Sequence, residues 1–163
     1  MLLTLLLGNL LHFVYDWTGQ ASWAAYISAV NESTWEHMKL FITPWVLWSL
    51  VERIALQGHG SLLPARGLGM LTGLAAIPAL FYTYTGICGK SVDVVNVLIF
   101  QAAVLAAWLV SRGLQRRGSL SAPLWQVLGI LVQLGAAAAF AVWTVNPPEL
   151  PLFVDPTNGT RGV

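Results

Sequence analysis

Pro123-Leu-Trp-Gln-Val-Leu-Gly-Ile-Leu-Val-Gln-Leu-Gly-Ala-Ala-Ala-Ala-Phe-Ala-Val-Trp-Thr-Val145 contains no charged residue. It exceeds the ~20 apolar residues that carry a helix across ~30 Å of hydrocarbon. In lipid such a segment satisfies its own backbone polar groups only as a helix. Asn146-Pro147-Pro148 ends it, because proline cannot continue the hydrogen-bond ladder. Four further apolar stretches come close to the same length, at about 1–17, 33–56, 67–87 and 92–110. The expectation is an all-α integral membrane protein, a bundle of about five transmembrane helices. A short amphipathic segment over 18–30 would lie at the interface after the first helix, and a tail over 146–163 would follow the last. A loop is expected from Gly58 to Arg66 by its Gly and Pro content.

Composition agrees with that reading. The chain has 163 residues, within the prior for a single domain over 1–163. It is 56% hydrophobic and only 9% charged, fewer charges than a soluble surface of this size needs. A net charge of +1 provides no basic field for nucleic acid. Cys88 is alone and cannot form an internal disulfide. The first apolar run lacks the basic start of a signal peptide, and His12, Tyr15 and Asp16 crowd the place of a cleavage site. There is no Gly-rich phosphate loop, no His-Glu-x-x-His, no paired-cysteine motif and no Gly-x-Ser-x-Gly.

Charge asymmetry predicts orientation. With five spans, Arg53, Arg66, Arg112, Arg116 and Arg117 fall on one side, and Lys39, Lys90 and Arg161 on the other. The positive-inside rule assigns the first side to the cytoplasm of a plasma-membrane protein. The N terminus is then cytoplasmic and the C terminus extracytoplasmic. Polar residues gather towards the outer leaflet on every span, whereas the cytoplasmic side carries mainly arginines.

The densest of these polar stretches is Asn31-Glu-Ser-Thr-Trp-Glu-His-Met-Lys39. Ser33 and Glu36 fit a capping box at the start of the second span. That leaves Glu32, His37 and Lys39 unexplained. Ionisable groups inside a membrane are costly and are functional candidates by default. His12 and Asp16, four residues apart, share a helix face. They read either as a hydrogen-bonded pair or as ligands, with Asp16 also able to orient the imidazole. His12, His37 and Asp16 are the candidate metal ligands, and Glu32, Glu36 and Asp93 the candidate catalytic carboxylates. Asn31, Lys39, Tyr82, Tyr84 and Asp155 are the candidate substrate contacts. Leu150, Leu152, Phe153 and Val154 are too apolar for a free tail, so the tail is expected to fold back over the site.

These residues carry a resemblance. The chain resembles an uncharacterised family of small bacterial multi-span membrane proteins with the motif Asn-Glu-Ser-x-Trp-Glu-His-x-Lys, a domain of unknown function. The motif stands here as Asn31, Glu32, Ser33, Trp35, Glu36, His37 and Lys39. The similarity extends to His12–Asp16, Tyr82–Gly86, Asp93 and Pro151–Pro156. It implies a multi-span membrane protein and supplies no activity, substrate or cofactor.

Three functions follow from these residues. The first is a metal-dependent intramembrane hydrolase with zinc as its divalent ion, acting on a lipid or lipid-linked substrate at the outer leaflet. The second is a transporter or channel for a small solute, an ion or protons, using the same carboxylates and imidazoles. The third is a non-catalytic receptor or assembly component. The lipid bilayer and a lipid or small-molecule ligand are the expected partners.

Overall fold

The computed structural model describes residues 1–55 and 60–163. Leu56, the expected end of the second span, and Gly58 and His59, the start of the expected loop, lie outside the described residues. The chain forms α1 (Leu2–Trp17), α2 (Ser22–Ala25), α3 (Thr34–Ala55), α4 (Leu62–Cys88), α5 (Asp93–Arg117) and α6 (Pro123–Val145). A 3₁₀ turn follows at Pro151–Phe153.

Local chemistry sets most of the ends. Pro123 opens α6 and Pro64 lies in the first turn of α4, where a missing N–H costs nothing. The structure is therefore helical from Leu62, through much of the expected loop over 58–66. Gly89 and Gly118, with φ of 69° and 65°, stop α4 and α5 in the left-handed conformation that glycine adopts freely. Arg116 and Arg117 lie in the last turn of α5, where cations complement the helix dipole. That helix thus runs past the expected span end at Val110.

The expected count of five spans does not hold. Among the described residues three helices, α4, α5 and α6, are long and apolar enough to cross a membrane. α1 has 16 residues, which rise about 24 Å and fall short of a bilayer core of ~30 Å. α3 has the length, at 22 residues, but Glu36, His37, Lys39, Glu52 and Arg53 dilute its apolar content. The protein is an all-α bundle of six described helices, three of which are candidate spans.

α4 is the hub and packs against α5, α6 and α3, while α1 lies along α3. The core comprises Phe41, Trp45, Met70, Ala103, Val104 and Ala107. Small residues bring the helices close, as in membrane bundles. A Cβ on Gly69 would stand 2.6 Å from the Ala107 carbonyl oxygen, and one on Gly129 2.6 Å from the Leu63 carbonyl carbon. Arg66 is not a solubilising surface arginine: it is buried, pairs with Glu52 and stacks 4.9 Å from the Trp45 ring centroid. The outer faces of α4 to α6 expose Leu80, Val94, Leu98, Leu109, Leu131 and Leu134, the faces a bilayer would cover.

Candidate metal centre

α1, the connector before α3 and the first turn of α3 bring three side chains together. One ligand atom from each of His12, Glu32 and His37 lies within 4.8 Å of the others. His37 Nε2 is 3.4 Å from Glu32 Oε2, and His12 Nε2 is 3.9 Å from Glu32 Oε1. The imidazole centroids are 5.2 Å apart. The side chains of His12, His37 and Glu32 are 33%, 32% and 49% exposed, so a solute can reach all three. The result is a partly buried His/Glu cluster able to chelate a divalent metal ion.

Hydrogen bonding settles which nitrogen of His37 is free. Nδ1 lies 3.0 Å from the Ser33 carbonyl oxygen, which can only accept. Nδ1 therefore carries the proton, and the neutral ring keeps its lone pair on Nε2. That lone pair faces a carboxylate oxygen across 3.4 Å. Two donor atoms in that arrangement can hold a cation between them. A carbonyl orienting the far nitrogen is also the usual support of a metal-bound histidine. Burial, foremost, and the neighbouring His37 push the His12 pKa below the ordinary histidine value, outweighing Glu32 and Asp16. Neutral imidazole, the ligating form, is thereby favoured at His12.

The scaffold beneath the cluster is a set of buried polar contacts. The Ser33 hydroxyl caps α3 by accepting the Glu36 N–H at 3.3 Å. The return half of the expected capping box is absent, since the Ser33 N–H donates to Asn31 Oδ1 at 2.9 Å. Glu36 Oε2 instead accepts the Val30 N–H at 3.1 Å and Lys39 Nζ at 2.6 Å. Lys39 also donates to the Ala25 carbonyl at 2.7 Å. Glu36 and Lys39 thus tie the connector over 25–30 to α3 from inside the fold.

The tail holds the connector from the other side. Phe153 packs on Trp35 and Trp143, with ring centroids 4.6 and 5.9 Å away. The Glu32 N–H donates to Asp155 Oδ2 at 3.0 Å, and the Val163 N–H to the Thr144 carbonyl at 3.1 Å. Burial opposes ionisation of Asp155. Hydrogen bonds from the Thr157 hydroxyl and the N–H groups of Glu32, Thr157 and Asn158 outweigh it and hold the carboxyl below its usual range.

A cavity of about 690 Å³ opens beside the cluster, between α1, α3, α4, α5 and the tail residues Pro156 and Thr157. His12, Glu32, His37 and Asp93 all line it. Asp93 is outside the ligand cluster, and so is Asp16, which is exposed on α1. Glu36 and Lys39 do not reach the cavity and are bound to each other. Asn31 braces the Ser33 N–H and reaches the Gly162 carbonyl at 3.4 Å. Tyr82 is exposed and away from the lining. The Tyr84 hydroxyl donates to Asn96 at 2.7 Å and accepts the Val92 N–H at 2.9 Å, bracing the α4–α5 turn. Asp155 acts on the backbone of Glu32 from outside the cavity lining.

Asn9, Thr34 and Thr157 also line the cavity and were not among the expected site residues. Asn9 carried a signal, as it lies three residues before His12 and so shares its helix face. Thr157 carried none, because its place depends on how the tail folds back. Residues 1–163 match the profile of a protein family described as "Family of unknown function (DUF6512)". No curated protein and no solved structure matches the chain.

Proposed function

This chain belongs to the DUF6512 family, whose function is open, and we propose from its His/Glu cluster that it is a zinc-dependent membrane-embedded hydrolase. The substrate would be a lipid or lipid-linked ester. The observation that carries the reading is the convergence of His12, Glu32 and His37 within 4.8 Å at the wall of a ligand-sized cavity. Two imidazoles and one carboxylate form a catalytic zinc ligand set that keeps a position open. Zinc bound there would supply Lewis acidity and a water acidified towards pH ~7. We assign the expected ligand role of Asp16 to Glu32, because Glu32 lies within the cluster and Asp16 does not. Glu36 is reassigned from catalysis to structure, as its Oε2 is committed to Lys39 and Val30.

In ester hydrolysis the water oxygen bonds to the acyl carbon and the bond from that carbon to the alkoxy oxygen breaks. The proton lost by water ends on the leaving alcohol. Asp93, in the cavity wall and outside the ligand set, is our candidate to hold that proton between the two events. The transporter reading has less support. Below the cavity, Phe41 fills the space against Gly73, and Trp45, Met70 and Val104 are buried. Arg53, Arg66, Arg112, Arg116 and Arg117 stand at the ends of α3, α4 and α5 opposite the cluster. We assign that end to the cytoplasm by the positive-inside rule, with the site on the outer side.

Elemental analysis of protein purified without chelator tests the reading. About one zinc per chain is expected, with loss in His37→Ala. Metal absent from wild type and not restored by added zinc would end it.

A further inference from the structure

The cavity is polar at one end and apolar at the other, and among the described residues no lysine or arginine lines it. Glu32 and Asp93 bring two carboxylates to it. Lys39, the basic residue nearest the ligands in sequence, is fully buried and committed to Glu36 and the Ala25 carbonyl. The helix N-termini that open here, those of α3 and α5, carry Glu36 and Asp93 in their first turns. Their dipoles are already complemented and offer little to an anion. A divalent ion at His12, Glu32 and His37 would offset the two carboxylates and leave the cavity without net charge. Deeper in, Leu40, Ile77, Phe81, Val97 and Phe100 form an apolar floor. The floor ends where the Phe100 ring closes on Gly8, beside the Leu40 carbonyl.

We propose that this cavity takes a single-chain amphiphile with an uncharged ester or amide head. The head sits at His12, Glu32 and His37, and the chain lies between α1 and α5 on Val97 and Phe100. This assignment of substrate class rests on the divalent-ion reading above. A phosphate or carboxylate head would enter without an arginine or lysine to pair it, against two carboxylates. With the ion's charge already met by Glu32 and Asp93, an anionic head would give up its hydration without a free cation to replace it, whereas an uncharged ester gives up far less.

The test uses the full chain in a nonionic detergent, loaded with zinc and checked by elemental analysis. Native mass spectrometry compares two probes of one chain length, 1-monododecanoylglycerol and dodecyl phosphate. The uncharged probe is expected to bind at least about tenfold more tightly. Ile99 lines the cavity beside Val97, and Val97→Trp and Ile99→Trp, each filling the apolar end, are expected to weaken it by a similar factor. Val97 is 45% exposed, so the larger ring has room without unfolding the chain. Equal or tighter binding of dodecyl phosphate by the zinc-loaded protein overturns the inference and leaves the metal reading standing. Undiminished binding of the uncharged probe in both tryptophan variants also overturns it. Protein that takes up no zinc yet prefers the uncharged probe, and loses it in Val97→Trp, supports the cavity assignment while the hydrolase reading fails.

Discussion

Replacing Lys39 by methionine removes one half of an ion pair that water does not reach. Its ammonium is 2.6 Å from Glu36, with the two side chains 0% and 1% exposed. Taking away one partner of such a pair costs about 3–5 kcal/mol, because the other charge stays buried. The Ala25 carbonyl loses its 2.7 Å donor in the same step, which places the cost in the upper part of that range. For a chain of this size each kcal/mol lowers the unfolding midpoint by about 2–4 °C, so a drop of roughly 10–20 °C is expected. Glu36→Gln/Lys39→Met removes both charges and should recover most of the loss, since neither then needs compensation. Thermal unfolding in detergent, followed by tryptophan fluorescence for wild type, both single variants and the double, gives the coupling as a thermodynamic cycle. A Lys39→Met protein within about 1 kcal/mol of wild type, or a double variant no more stable than that single one, would refute the account of the pair.

Three further expectations concern the tail and the helix contacts. Asp155→Ala deletes the acceptor of the Glu32 N–H. Zinc affinity, read by competition with a chromogenic chelator, should fall about 10–100-fold, with Asp155→Asn closer to wild type; unchanged affinity in Asp155→Ala would free the tail of any role at the ligands. Phe153→Ala empties a site 3% exposed between Trp35 and Trp143. It should cost about 3–5 kcal/mol and expose the segment after Pro147 to protease, and a tail as resistant as wild type contradicts the packing. Gly129→Ala sets a methyl 2.6 Å from the Leu63 carbonyl carbon. Separation of α4 and α6 should cost about 1–3 kcal/mol in thermal unfolding, and a neutral result would mean that the helices have slack there.

Much of the helical framework is written locally. A long apolar run free of charge, such as 123–145, has one way to satisfy its backbone in lipid, so its helix follows from composition over a few turns. Helix ends at Gly89, Gly118 and Pro123 are equally local, since they depend on which residue tolerates a given φ or lacks an N–H. The polar character of His12, Glu32 and His37 in an apolar chain likewise marks them as costly wherever they lie. What a run of apolar residues does not encode is its neighbour. Whether α3 crosses a bilayer or packs as a polar-headed core helix depends on its company. Glu36 and Lys39 become tolerable there because Ala25 and Val30 arrive from another segment to pair with them. Arg66 reads as a surface charge until Glu52 and Trp45 are placed beside it. Asp16 and Glu32 are alike as sequence. Their different fates follow from tertiary placement, which leaves Asp16 outside the cluster, and from Asp155, which reaches back across the fold to hold the Glu32 backbone. Composition assigns the cost of placing a charge out of water, and tertiary contact decides which charges have a partner to meet it.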